Sequence, residues 1–412
     1  MDVEDLIYFY YLSGNYKKVI DLALSIKDVS SISKKYCDLV TKSMILEEHD
    51  YLHVTQSLWF EKSSSKLKTE FFLSRCMLKE GMKEKTNRDM SALLDRLYPT
   101  KFKQSLSDVD KSERLHILNS WGPGDDLRFS IVIDVMISLG YKLIIFHTEP
   151  RLVPLLSSLY PEVSVEGTYR SKTLSYDNFS HFDKVSPQKL HHVLDNDFFE
   201  KIGEISQFTL ITNLLHDVLL KPVTFSEKRK LSVLNKSCSN TINEFFSGFK
   251  SNQLIVGISW RSMNDHGVRG KDYLSITDVV DIFEGFDNIV LISLQYDNCE
   301  KEVRYFNQAS NVRMYIPPID QMNDFSSVVT LMNQLNLIIC TGNSVLEFAG
   351  CSATETLAVL LDPVQTYRFD KGKDIWFDNI SILEDPKHAT LTSTKKLIRN
   401  RLKRLIDKNE NC

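Results

Sequence analysis

Leu115-His116-Ile117-Leu118-Asn119-Ser120-Trp121-Gly122-Pro123-Gly124-Asp125-Asp126-Leu127-Arg128 decides the fold class of this chain. A short apolar run gives way to a Gly-Pro-Gly turn, two carboxylates and a helical run, Phe129 to Leu139, that stops at Gly140. That order reads as strand, tight turn, helix. Leu143-Ile144-Ile145-Phe146-His147 follows as the next strand. Strand, helix, strand with apolar strands is the unit of a parallel sheet. Further strands are expected at 163–165 and 208–212, with 169–196 a polar, irregular loop over a cleft.

A second junction repeats the pattern: Leu337-Ile338-Ile339-Cys340-Thr341-Gly342-Asn343-Ser344-Val345-Leu346-Glu347. Around it lie strand candidates at 254–259, 289–294, 312–316, 337–340 and 358–361, separated by helical stretches near 276–284, 325–334 and 344–349. The expected class is therefore α/β, with two facing units. Open sheets of this kind bind ligands outside the carboxyl ends of their strands, so the cleft between the units is the expected site.

Outward from these junctions the pattern changes. Residues 1 to about 105 read as helical pairs, with Val19, Ile20, Leu22, Ala23 and Leu24 at helical spacing after Gly14-Asn15-Tyr16. They are read as a cap on the α/β units, a partner-binding solenoid or an oligomerisation module. The tail, Thr392 to Asp407, is a basic amphipathic helix expected to pack back on the first α/β unit, with an anionic membrane surface as the other reading of its Lys and Arg face. The expected units are 1–110 (helical), 111–245 (acceptor side), 246–385 (donor side) and 386–412 (tail helix).

At 412 residues the chain exceeds what one core usually holds. A net charge of -4 argues against a nucleic-acid binder, which needs a basic face. Seven cysteines occur with no CxxC pair, which speaks against a zinc knuckle and for a reducing cytosol. The acidic start Met1-Asp2-Val3-Glu4-Asp5 is not a signal segment, and no stretch is long enough to span a bilayer. The expected location is cytoplasmic, with any membrane contact peripheral.

Three segments carry candidate chemistry. In Gly122-Pro123-Gly124-Asp125-Asp126, one aspartate can cap the following helix and the other can act as a general base on a hydroxyl. Gly-x-Gly-x-x-Gly is absent, so this is no dinucleotide fingerprint. Ser259, Arg261, Arg269 and Lys271 suit an anionic ligand at a strand end, and Trp260 either packs in the core or stacks on an acceptor or base. Thr341, Gly342, Asn343 and Ser344 open a helix whose free amides can bind phosphate; Ser344 with Glu347 can equally form a capping box. Arg368 lies in a polar loop after a strand and is a further candidate for the donor. Metal binding is not expected: His49 and His53 lack the glutamate of a zinc helix, and neither His191-His192 nor Asp320 with Asp324 completes a ligand set.

On these residues the chain resembles bacterial glycosyltransferases of the heptosyltransferase-like group (GT-B fold, glycosyltransferase family 9-like), two facing Rossmann-like domains, across residues 112–385. Residues 1–105 resemble tetratricopeptide (TPR) helices, mainly through Gly14-Asn15-Tyr16 and Ala23. The resemblance implies that Asp125 is the acceptor-activating base, that Lys271 contacts phosphate, and that Asn336 to Gly350 is the donor segment. Trp121, Asp126, Arg128 and Trp260 are the candidates for the acceptor side; the resemblance implies no catalytic metal, and no cofactor is expected beyond a nucleotide-sugar donor. Implied partners are that donor and a glycan, lipid-linked glycan or protein acceptor, with a protein partner on the helices. The chain departs from the group at Asn336, Gly342-Asn343 and Glu347, which stand for aspartate, Asp-Thr and histidine, so ADP-heptose does not follow as donor. A two-domain nucleotide-sugar epimerase and a non-catalytic scaffold are the alternatives.

Overall fold

The computed structural model describes residues 2–47, 49–73, 77–85, 88–119, 122–168, 198, 201–218, 236–263, 273–361, 369–384 and 389–410. Helices α1–α8 are Val3–Leu12, Tyr16–Ser25, Lys34–Leu46, Tyr51–Thr55, Leu58–Lys62, Ser65–Leu73, Leu78–Lys85 and Arg88–Leu97. Short polar residues start several of them: Asp2, Asn15, Asp50 and Ser57 each accept a hydrogen bond from a first-turn amide. Gly14, at φ 73, permits the tight turn between α1 and α2. Helices α1–α6 close on their own core of Ile7, Tyr11, Val19, Val40, Trp59, Phe60 and Phe71.

Helices α7 and α8 pack on the first α/β unit. Met82 of α7 joins the core of the first α/β unit, and Leu93 and Leu94 of α8 lie on one face of its sheet with Phe102 and Phe208. Ser91 of α8 donates to Asn213 Oδ1 at 2.7 Å inside that contact. The physical reason is coverage: a parallel sheet must bury both faces, and α8 supplies one.

That sheet contains β1 (Leu115–Leu118), β2 (Ile144–Thr148), β3 (Ser164–Gly167) and β4 (Gln207–Leu210) in the order β3-β2-β1-β4. All pairings are parallel, with Leu115 opposite both Ile144 and Gln207. Its helices are α9 (Pro123–Phe129), α10 (Val132–Ser138), α11 (Val153–Leu159) and α12 (Ile211–Val218). The chain turns helical at Ile211, inside the expected fourth strand. The expected loop at 169–196 lies outside the described residues.

After α13 (Lys236–Ser247) comes the second sheet: β5 (Leu254–Ser259), β6 (Ile289–Ser293), β7 (Arg313–Tyr315), β8 (Leu337–Thr341), β9 (Thr356–Val359), β10 (Phe369–Asp370), β11 (Lys373–Asp374) and β12 (Ile380–Ile382). Its order is β10-β11-β12-β9-β8-β5-β6-β7, in which β7-β6-β5-β8-β9-β12 run parallel. Helices α14 (Ile276–Phe283), α15 (Glu300–Ala309), α16 (Phe325–Met332) and α17 (Ser344–Gly350) connect these strands. Part of the expected polar loop is instead a hairpin: β10 and β11 join through Lys371 and Gly372, both at positive φ, the twist a two-residue hairpin needs.

The last helix, α18 (Leu391–Glu410), packs on the second unit, which corrects the expectation that it crosses to the first. Ile398 and Leu402 are buried against Val279, Ile282 and Phe283 of α14. Lys395 pairs with Asp278 at 2.9 Å and Asp281 at 2.8 Å, and Arg399 donates to the carbonyls of Asp281, Ile282 and Glu284 at the end of α14. A cation on the last carbonyls of a helix is favoured by the helix dipole. These basic residues are therefore used inside the molecule.

A helical region is thus followed by a mixed α/β region of two units, each built on a mainly parallel sheet. The units are not merely adjacent. Leu127 and Phe129 of the first share one apolar core with Val345, Phe348, Trp376 and Phe377 of the second, and the Phe129 and Trp376 rings meet edge-on at 5.8 Å.

Candidate functional site

Both junctions that stood out in the sequence arrive at the same place. Gly122 is extended and caps α9, and Pro123 fills its first turn, where no amide is needed. Asp125 and Asp126 follow in that turn, where the helix dipole favours negative charge. Their fates differ. Asp126 is buried and accepts from the Thr148 hydroxyl at 3.3 Å, while the Asp125 side chain is 33% exposed. The structure therefore leaves Asp125 the more accessible carboxylate of the two.

Across the gap, Asn343, not Ser344, caps α17; its Oδ1 accepts from the Val345 amide at 2.9 Å. Its Nδ2 donates to Ser259 Oγ and to the Arg261 carbonyl, each at 3.0 Å. Asn343 thus ties together the two loops that leave β5 and β8, the neighbouring strands at which the order of the second sheet reverses. Ser259 donates to Gln295 Oε1 at 3.0 Å, and that oxygen also accepts from the Trp260 amide. Gln295 was not singled out in the sequence, where a lone glutamine after an apolar strand carries no motif.

The helix starts touch. A methyl group added to Gly124 would stand 3.2 Å from Ser344 Oγ and 3.3 Å from Glu347 Cγ. Only a residue without a side chain lets α9 approach α17 this closely. Arg128, one turn on, donates to Glu347 Oε1 at 2.7 Å and lies 3.4 Å from Asp125 Oδ1; the Arg128 and Glu347 side chains are 10% and 4% exposed. Glu347 is not half of a capping box, since Asn343 is the N-cap of α17. It is the counter-ion of an arginine from the other unit.

Three other expectations change. Trp260 is fully buried, with Nε1 donating to Glu302 at 2.9 Å, so it is no stacking platform for an acceptor. Arg261 is clamped by Glu302 and Asp297. Its hydrogen bonds to the carboxylates of Glu302 and then Asp297 raise its already high pKa, and its guanidinium holds the loop after β5. Thr341 is buried at the end of β8. Trp121, Arg269, Lys271 and Arg368 lie outside the described residues. Among the described residues no group of three or more metal-binding side chains stands together, and no helix is long and apolar enough to cross a membrane.

A cavity of about 150 Å³ remains between the units, lined by Pro123 and Arg151 of the first and by Tyr296, Gln321, Phe325 and Ser344, among others, of the second. Arg151 crosses the gap: its Nη1 donates to the Met322 carbonyl at 2.7 Å and its guanidinium sits 5.0 Å from the Phe325 ring centre. Glu149 pairs with it.

No known protein-family model matches the chain. Among curated proteins it is similar to Protein FlbA of Caulobacter vibrioides, at 22% identity over 274 residues covering 62% of this chain. The match spans only 43% of that relative's length. Among solved structures it is similar to a glycosyl transferase family 9 protein from Veillonella parvula, at 10% identity over 73% of this chain and 98% of that one, with a TM-score of 0.48. It is also similar to the E. coli ADP-heptose lps heptosyltransferase II, at 14% identity, 72% and 99% coverage and a TM-score of 0.39. UDP-GlcNAc 2-epimerase from Neisseria meningitidis is similar at 12% identity, 84% and 90% coverage and a TM-score of 0.33. All are distant likenesses, and the chemistry has to be read from the cleft itself.

Proposed function

We propose that the chain is a metal-independent, inverting glycosyltransferase that moves a sugar from a nucleotide-sugar donor to a hydroxyl acceptor. One observation carries this reading: Gly124 packs on Ser344 and Glu347 in the first turn of α17, at the switch point of the second sheet, and the next residue, Asp125, carries the more accessible carboxylate after the first sheet's β1. A base on one side and an anion-accepting helix start on the other is what direct displacement requires. The acceptor hydroxyl gives its proton to Asp125 as its oxygen attacks the anomeric carbon. The bond from that carbon to the diphosphate oxygen breaks, and the nucleoside diphosphate leaves with the electron pair.

The two α/β units are read as Rossmann-like, supported by their 3-2-1-4 parallel order. Helices α1–α6 are read as TPR-like and as the surface for a protein partner, supported by their separate core. The acceptor is a glycan, a lipid-linked glycan or a protein, and the location cytoplasmic.

The first test is a thermal-shift screen against nucleotide sugars, since a ligand that binds only the native state raises Tm. With the donor in hand, Asp125→Asn should lower turnover at least about a hundredfold, the usual range for a lost general base, with donor affinity within about twofold. Turnover equal to wild type removes Asp125 as base. Lys271→Ala should weaken donor binding and turnover together. Activity in EDTA should equal that without it. An epimerase would consume donor with no acceptor present, which product analysis resolves.

A further inference from the structure

The cavity that the described residues line between the units is smaller than a nucleotide sugar. Pockets that hold small organic ligands usually measure about 300–1,000 Å³, and this one measures about 150 Å³. A nucleotide sugar seated in this cavity requires the contacts across it to give way. Two arginines of the first unit span the gap: Arg128 on Glu347 and Arg151 on the Met322 carbonyl. Each is thus held by an oxygen acceptor of the opposite unit. A guanidinium is a planar fork that fits phosphate oxygens as well as a carboxylate. Arg128 already faces two carboxylates, Glu347 at 2.7 Å and Asp125 at 3.4 Å, so an oxyanion arriving there adds a third negative charge to a water-poor gap and repels Glu347.

We propose that Arg128 and Arg151 each offer a guanidinium to an oxyanion on the first unit's side of the cleft, that Glu347 is the internal counter-ion of Arg128, and that an incoming diphosphate displaces it. Binding and separation of the units are then one event. The physiological anion is identified only through the nucleotide-sugar reading above; the exchange of one anion for another does not depend on it.

Inorganic pyrophosphate is the probe, titrated into the full chain by calorimetry. Glu347→Gln keeps the shape and removes the competing charge, so pyrophosphate should bind about tenfold tighter than to wild type, within the usual range of coupling between sites. Arg128→Met and Arg151→Ala should each weaken it about tenfold. Equal or weaker binding by Glu347→Gln overturns the proposal, as does unchanged binding by Arg151→Ala. If Glu347→Gln fails to fold, Glu347→Asp draws the carboxylate back from Arg128 by one methylene and should still bind more tightly than wild type; equal or weaker binding overturns it again. Small-angle scattering should show a change in radius of gyration on adding pyrophosphate to wild type; an unchanged radius at saturation overturns the coupling to opening. Tighter pyrophosphate binding by Glu347→Gln with no nucleotide sugar bound by any variant would leave the exchange standing and end the glycosyltransferase reading.

Discussion

Gly350 sits at the end of α17 with the face of Phe377 against it: an added methyl carbon would lie 2.4 Å, 2.5 Å and 2.6 Å from three ring atoms. Phe377 is fully buried and its ring is stiff, so neither partner can yield cheaply. Gly257 in β5 is crowded as well, by Leu335 Cδ1 at 2.5 Å and Leu294 Cδ1 at 2.8 Å, but those are the far ends of side chains that can rotate. Overpacking a core costs about 1–3 kcal/mol. Gly350→Ala should fall at the upper end or beyond it and Gly257→Ala lower, with the order read from urea midpoints. The reverse order would mean that the leucines, not the ring, set the limit. Glu347 belongs to the same scale. Removing one partner of a buried ion pair costs about 3–5 kcal/mol, whereas replacing both by apolar residues of similar volume is often neutral. Arg128→Met should therefore lower stability markedly, and adding Glu347→Leu should restore much of it.

At the scale of elements, the first sheet has a polar seam on the face away from the cleft. His116 of β1 and His147 of β2 are stacked, with Nδ1 of the first 2.8 Å from Nε2 of the second, and Phe198 packs on both. Burial, joined by repulsion from His116, pushes the His147 pKa down to about 3; burial also lowers that of His116, against the pull of Glu166. One ring donates and the other accepts, and once both are protonated no acceptor is left. In the unfolded chain both return to about 6.5, so at pH values below that the unfolded state binds more protons. The sign is fixed: the pair costs nothing at neutral pH, and stability drops as pH falls from about 6.5 towards about 3. His147→Phe should make the loss of Tm between pH 7 and pH 5 shallower than in wild type. A parallel loss in both proteins would place the acid sensitivity elsewhere.

For the whole molecule, the placement of α18 decides which unit depends on the tail. Burying a leucine or isoleucine side chain contributes about 1.5–3 kcal/mol, and α18 brings Ile398 and Leu402 to the second unit's core. Deleting residues 391–412 should expose Val279, Ile282 and Phe283. Hydrogen exchange should then speed up in α14 and β5, with β1 to β4 protected as before. Loss of protection in the first sheet would show that the tail matters there after all. The shared core at Phe129 and Trp376 predicts, by contrast, that the two units melt together.

Much of this was legible along the chain. Apolar runs closed by Gly122 to Gly124 and by Gly342 are local signals, and local signals determine strands, turns and helix starts. They also marked Asp125 and Ser344, which the fold brings to one gap. Other assignments depended on partners far along the chain. Whether Trp260 faces a ligand or Glu302, whether Glu347 caps a helix or answers Arg128, and which unit α18 covers are questions of pairing. A helix has an apolar face whichever sheet receives it, and a carboxylate takes whatever cation the fold brings near. The sequence by itself determined the elements, their parallel α/β class and the turns that meet at the cleft. Only the tertiary structure decided which charges are already neutralised there, because charge compensation in a low-dielectric interior depends on distance in space and not on separation along the chain.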